Sequence, residues 1–431
     1  SIIFGFIILY LTYKFTFTIE HIKYKWISPL ILVTTYLWLN NVHLSTQDIP
    51  LLGLELIGIY NLYKIKSHNQ KLSIFLSSFW IGPAIFIKSF MALLPIIAIL
   101  PYVFIFKQYI FKNKYFYLGL ITGFLPLIYW LMLCIKTYGT ESIYTIFYKL
   151  KYLNSSDQYS QPFYYYLWNI PINTMPWIIF SLAGFYYVSI KENIEEKFLL
   201  LLYPLILIIL LSIFKTKTPY YGLQITPFIA ITSNIGIENI FNKDNNLNKI
   251  FKRSIGFIGY ILILISITLL FINLDITNTS FNNKYILAIT CSSIGIFWSL
   301  LYNSSFNLKK NIILLLIGPY IAFLVNVQSG TFTNRDITSK DILLSANIQN
   351  IIGEDANYIY YKDELSNKEF SMLVKIAIYT NNNSKLINNF KHVETNNLIW
   401  LKKDYKLFNK ENFSIVYENE IIKPWVLVKK Y

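Results

Sequence analysis

Long stretches of this 431-residue chain carry apolar side chains without a charge between them, separated by short polar clusters. Phe198–Phe214 and Ser254–Leu274 show it most plainly: neither contains a charged residue. Each has the length of roughly 17–25 residues that a helix needs to cross a bilayer. The same reading predicts about twelve spans, at 2–18, 26–43, 49–63, 72–87, 89–106, 115–135, 170–190, 198–214, 219–237, 254–274, 285–303 and 311–328. The pair 72–87 and 89–106 is short and meets at Lys88, so it reads as two spans or one broken unit.

From about residue 330 the pattern changes. Charged and amide residues become frequent, and Tyr358–Tyr361, Leu373–Tyr379, Leu398–Leu401, Ser414–Tyr417 and Trp425–Val428 read as strands, with Ser339–Ile352 as a helix. The expected fold class is an all-α polytopic membrane domain at 1–330, followed by a small soluble α/β domain at 331–431. No repeat of fixed period is visible.

Composition agrees with the class: 55% of residues are hydrophobic and 14% charged. The formal charge of +15 raises nucleic acid as a partner, but Arg253 and Arg335 are the only arginines, and no basic stripe carries interleaved aromatics. Nucleic acid is therefore excluded as the expected partner. Cys134 and Cys291 both lie in apolar spans and imply no disulfide framework. His21, His43, His68 and His392 are scattered without metal-ligand spacing. No cofactor is identifiable, and a divalent metal is left open without support from the residues. Ser1 leads straight into Ile2-Ile3-Phe4-Gly5-Phe6, which is not a signal peptide; the chain reads as the interior of a longer protein.

Charge changes the picture by fixing orientation, because cytoplasmic loops retain Lys and Arg. One alternating set of loops and span ends holds 17 such residues: Lys14, Lys23, Lys25, Lys64, Lys66, Lys71, Lys107, Lys112, Lys114, Lys191, Lys197, Lys243, Lys249, Lys252, Arg253, Lys309 and Lys310. The other holds 7: Lys88, Lys136, Lys149, Lys151, Lys215, Lys217 and Lys284. The first set is expected to face the cytoplasm. Asn40–Asp48, Lys88, loop 136–169, Lys215–Thr218 and everything beyond Gly330 then share the outer side.

Candidate chemistry collects on that side. Asp48, in Ser45-Thr46-Gln47-Asp48-Ile49-Pro50, reads either as an N-cap of the following span or as a carboxylate at the water–lipid boundary. Glu55, two helical turns deeper, is an ionisable group inside a span and needs a cavity or a partner. Lys88 reads as a snorkelling lysine or as a phosphate ligand. Lys149 and Lys151 precede an aromatic run, Phe163-Tyr164-Tyr165-Tyr166-Leu167-Trp168, that fits an interfacial belt. Lys215 and Lys217, followed by Thr218-Pro219-Tyr220-Tyr221, read as an anchor at the membrane edge or as a grip on phosphate.

The order of these segments resembles the integral-membrane glycosyltransferases that use polyprenyl-phosphate sugars, above all the aminoarabinose lipid A transferases and the protein O-mannosyltransferases. Thr46-Gln47-Asp48-Ile49-Pro50-Leu51 is similar to the group's T-x-D-x-P-L, and Lys88-Ser89-Phe90-Met91-Ala92-Leu93-Leu94-Pro95 to its K-G-P-x-A-L-L-L-P. Phe163–Leu167 with Pro176-Trp177 is similar to its Y-Y-L…P-W, and Lys217–Tyr221 with Pro227 to its K-x-x-Y-Y-L-x-P-x-x-P. Two departures stand out: Ser89-Phe90 replaces Gly-Pro, and Lys151 or Lys149 stands where an arginine is frequent.

The resemblance covers residues 1 to about 330. It implies a GT-C fold in a bacterial inner membrane, a periplasmic C-terminal domain, and sugar transfer from a polyprenyl phosphate to a lipid, glycan or protein acceptor on the outer face. It implies Asp48 as a catalytic carboxylate, and Lys88, Lys151, Lys217, Tyr220 and Tyr221 as substrate-binding residues. It also implies that a leading catalytic acid lies in an outer loop upstream of Ser1. The rivals are a membrane polysaccharide polymerase or ligase, a secondary transporter, and an inactive truncated product. A transporter predicts internal repeats, and a polymerase predicts a long outer loop with arginine and histidine, which loop 136–169 lacks.

Overall fold

The computed structural model describes all residues except 20–21, 68, 142, 145–159, 192, 243–245, 272–281, 303–306, 333–336, 353–356, 361–364, 381–384, 388–396, 404–412 and 431. The chain forms two compact units, Ser1–Phe332 and Thr333–Tyr431.

The first unit is helical. Its elements are α1 (Ile2–Thr18), α2 (Ile27–Val33), α3 (Tyr36–Val42), α4 (Asp48–Lys64), α5 (Lys71–Phe79), α6 (Ile81–Lys88), α7 (Leu93–Phe106) and α8 (Lys114–Tyr138). There follow α9 (Tyr165–Asn173), α10 (Trp177–Lys191), α11 (Ile194–Lys197), α12 (Tyr203–Ile213), α13 (Thr226–Asn242), α14 (Asn246–Phe271), α15 (Asn282–Ser299) and α16 (Leu308–Gln328).

Among the described residues, five helical runs are long and apolar enough to cross a bilayer: Lys71–Phe106, Lys114–Tyr138, Ile194–Ile213, Asn248–Phe271 and Leu308–Gln328. The expected twelve spans are not reproduced as twelve continuous helices, for local reasons. Span 26–43 is divided between α2 and α3, where Thr34 and Thr35 hydroxyls donate back to the Leu30 and Ile31 carbonyls; such back-bonding bends helices. Span 170–190 parts between α9 and α10 ahead of Pro176, because a residue before proline is driven out of the helical region. The first seven residues of span 219–237 are a tight 3-10 turn, Pro219–Ile225. The pair meeting at Lys88 is one interrupted run.

Helices approach closely where glycine removes the side chain. On α8, Gly119 and Gly123 lie one turn apart and face the Phe75 and Phe79 carbonyls of α5; a Cβ on either would sit 2.4 Å from that oxygen. Gly82 of α6 meets the Gly123 backbone in the same way. This small-xxx-small spacing lets backbones touch where lipid offers no hydrophobic drive. Gly184 of α10 and Gly236 of α13 do the same across the core. Helix α13 is buried along nearly its whole length and packs against α2, α10 and α16.

The second unit holds α17 (Ile337–Leu343), α18 (Ala346–Ile352), α19 (Asn367–Tyr379) and a five-stranded sheet. The strands are β1 (Asn357–Tyr360), β2 (Lys385–Ile387), β3 (Leu398–Lys402), β4 (Phe413–Tyr417) and β5 (Trp425–Lys430), ordered β2-β1-β3-β5-β4. β1 pairs in parallel with β2 and β3, while β5 runs antiparallel to β3 and β4. Alternation divides the sheet: Ile359, Trp400, Trp425 and Leu427 face a core with Leu343, Ile348, Leu373 and Ile376, and Ile399, Leu401, Val426 and Val428 form the other face.

One predicted strand is wrong. Leu373–Tyr379 is the second half of α19, which a capping box begins: Ser366 Oγ accepts from Glu369 N, and Glu369 accepts from Ser366 N at 2.8 Å. Predicted helix 339–352 is two helices, α17 and α18, and short β2 was missed.

Candidate functional site

Four of the residues singled out in the sequence converge. Asp48 is the first residue of α4, where the helix dipole favours negative charge. It is not the cap: Gln47 holds that position, its carbonyl accepting from Leu51 N at 3.1 Å. The Asp48 carboxylate instead pairs with the Lys88 ammonium, the two side chains being 13% and 14% exposed. α4 packs against α6, which brings the start of one helix to the end of the other.

Lys88 is the last residue of α6. The run breaks there because Ser89 adopts φ 49°, ψ −131°, and a 3-10 turn, Ser89–Ala92, leads into α7. Positive φ of this kind is ordinarily left to glycine. The break ends α6 at the level of Asp48.

The third side comes from the Pro219–Ile225 turn. Tyr220 and Tyr221 stand nearly perpendicular, ring centroids 5.0 Å apart. The Lys88 nitrogen lies 5.1 Å from each centroid, within reach for cation–π attraction. Asp48, Leu51, Lys88, Met91, Tyr220, Tyr221, Leu223 and Gln224 line one pocket. It has room for about one water molecule. Gln224 and Met91 were missed by the sequence reading. Gln224 could have been found, as an amide four residues after Tyr220 at the foot of an apolar helix.

Lys217 lies outside this lining. It is 4% exposed, and its ammonium donates to the Phe214 carbonyl at 2.5 Å and the Gln161 carbonyl at 3.1 Å. Ser160 bridges Thr216 and Gln161 N donates to Lys215 O at 3.2 Å, so Lys217 braces two segments together. Burial holds its pKa below the ordinary lysine value. Tyr166 OH donates to Thr218 O at 3.3 Å, adding a second tie to the same turn. Lys149 and Lys151 lie outside the described residues. Glu55 is fully buried and accepts from the Tyr203 hydroxyl of α12, with Oε2 left without a partner among the described residues.

The arrangement is thus a carboxylate at a helix start, a cation at a helix end and two aromatic rings on that cation. Known proteins share the fold that holds it. Residues 1–132 match the family model described as dolichyl-phosphate-mannose-protein mannosyltransferase. Over 99% of its length the chain shares its fold with ArnT from Cupriavidus metallidurans bound to undecaprenyl phosphate, at TM-score 0.75 and 13% identity, covering 82% of that chain. The apo state of ArnT matches at TM-score 0.73 and 12% identity, with the same coverage. No curated protein matches the chain significantly in sequence. The resemblance read from the four motifs, to membrane glycosyltransferases that use polyprenyl-phosphate sugars, is borne out by both findings.

Proposed function

We propose that this chain transfers a sugar from a polyprenyl phosphate to an acceptor on the outer face of a bacterial inner membrane. The observation that carries the reading is the convergence of Asp48, Lys88, Tyr220 and Tyr221 on one pocket. The group it resembles and the undecaprenyl phosphate bound by ArnT support the donor class.

Sugar transfer makes two demands. The acceptor must be oriented and, if it is a hydroxyl, must lose a proton to a nearby base. The leaving phosphate gains charge as the glycosidic bond breaks and must meet a cation. Asp48 assists with the first demand and Lys88 serves the second. Tyr220 and Tyr221 shape the cavity and hold the cation. Lys217 keeps the tyrosine turn in place, and Lys151 is a further phosphate-binding residue by the resemblance alone. The unit Thr333–Tyr431 lies on the outer side, as the lysine distribution supports.

The test is Lys88→Ala in membranes supplied with radiolabelled undecaprenyl-phosphate sugars, reading label in lipid, glycan and protein fractions. Wild-type protein labels one fraction, and the variant reduces the rate by about a hundredfold or more, the scale for losing one charge-stabilising group. Transfer at the wild-type rate by Lys88→Ala would remove the reading.

A further inference from the structure

The residue placed to receive the leaving phosphate is already occupied. The Lys88 ammonium is paired with one carboxylate oxygen of Asp48, so the two charges neutralise each other in this arrangement. The pocket between them and the tyrosines has room for about one water, so a phosphate enters it only when the lining side chains rearrange. Three features make an exchange feasible. Lys88 sits at the end of α6 on a flexible four-carbon stem. The rings of Tyr220 and Tyr221 lie 5.1 Å from its nitrogen and offer the cation a surface to move along. Asp48, in the first turn of α4, keeps the favourable end of a helix dipole when the lysine departs.

We propose that Lys88 is handed from Asp48 to the donor phosphate as the sugar–phosphate bond breaks, and that this hand-over turns Asp48 from a masked carboxylate into a competent base. The inference rests on the sugar-transfer reading above. A polyprenyl-phosphate sugar is a phosphodiester with one negative charge, so exchanging the carboxylate for it is roughly an even trade. When the bond between the anomeric carbon and the phosphate oxygen breaks, its electron pair stays on that oxygen and the phosphate becomes a monoester with a second charge. Lys88 is then drawn to the phosphate. Departure of the cation opens the Asp48 carboxylate to the acceptor hydroxyl. The acceptor hydroxyl gives its proton to Asp48 while its oxygen forms the new bond to the anomeric carbon. Asp48 afterwards returns that proton to solvent or to the monoester. The attraction is greater in the transition state than in the bound donor, which is what accelerates a chemical step. One cation thereby couples leaving-group departure to base activation.

The experiment uses the full-length protein in lipid nanodiscs with undecaprenyl phosphate as the probe. In a cryo-electron-microscopy structure of the wild-type complex, Lys88 is expected on the phosphate and away from Asp48. In equilibrium binding, Asp48→Asn is expected to hold undecaprenyl phosphate about tenfold more tightly, the scale for a pair between the exposed and buried extremes. In turnover the same variant is expected to lose transfer. Tighter binding with lost turnover is a split that a merely structural role would not produce. Asp48→Ser serves as a second variant if Asp48→Asn does not fold, and the wild-type complex answers without either. A bound phosphate with the Asp48–Lys88 pair intact, or variants that bind no more tightly than wild type, overturns the hand-over. Absence of undecaprenyl phosphate binding by wild type and variants alike overturns the donor reading instead.

Discussion

Replacing Ser89 with glycine should stabilise the protein, and the size of the gain follows from the backbone. Ser89 holds φ 49°, ψ −131°, between the lysine that ends α6 and the turn that begins α7. A non-glycine residue kept in such a region costs about 1–3 kcal/mol. Glycine removes that cost but gives the unfolded chain more freedom, worth about 0.4–1 kcal/mol against it. The side chain is exposed, so little packing is lost. The net gain is about 1 kcal/mol, or a thermal midpoint raised by about 2 °C for a chain of this class. Intrinsic tryptophan fluorescence during a thermal ramp in one fixed detergent reads it. Ser89→Ala is the control, since alanine keeps the Cβ and with it the conflict. A melt of Ser89→Gly that coincides with that of Ser89→Ala, or falls below wild type, would refute the strain argument.

Lys217→Met should lower stability by about 2 kcal/mol, because charge-assisted hydrogen bonds to the Phe214 and Gln161 carbonyls are lost from a buried position; limited proteolysis near Gln161 should speed up, and unchanged cleavage would count against a bracing role. In the second unit, hydrogen bonding to Lys402 and then to Ser366 holds the Glu369 carboxyl down to about 2, from 4.5. A depressed carboxyl contributes stability that is fully present above its unfolded value and is lost as pH falls from about 4.5 towards 2. Glu369→Gln should flatten the acid limb of that unit's unfolding, followed by circular dichroism; an unaltered limb would show that other groups govern it.

Much of the helical unit was legible because a bilayer demands long apolar runs whatever the sequence does elsewhere. What escaped were interruptions. Thr34-Thr35, Pro176 and the Pro219–Ile225 turn divide runs that hydropathy alone reads as continuous, since back-bonding hydroxyls and pre-proline sterics act within one turn. In the second unit, Leu373–Tyr379 has an apolar run that reads as a strand. The Ser366-Asn367-Lys368-Glu369 capping signature upstream was there to correct it.

The site divided in a similar way. Asp48, Lys88, Tyr220 and Tyr221 could be listed from sequence, but their meeting depends on α4 packing against α6 and on the turn lying beside both. Lys217 shows the reverse. Its position in a motif suggested phosphate contact, while two backbone carbonyls account for its ammonium here.

The glycine contacts of α5, α6 and α8 bear on how the pocket can enlarge. Where backbone rests on backbone, as Gly82 rests on Gly123, there is no side chain to compress, and the helices cannot tilt apart without opening a void in the membrane interior. The tyrosine turn is equally confined, because it leads directly into the buried helix α13. On the side that α6 forms, admission to the pocket is therefore a matter of side chains turning rather than of that helix leaving α8. The rate at which a bulky substrate enters should depend in part on the rotation of Lys88 at the end of that helix.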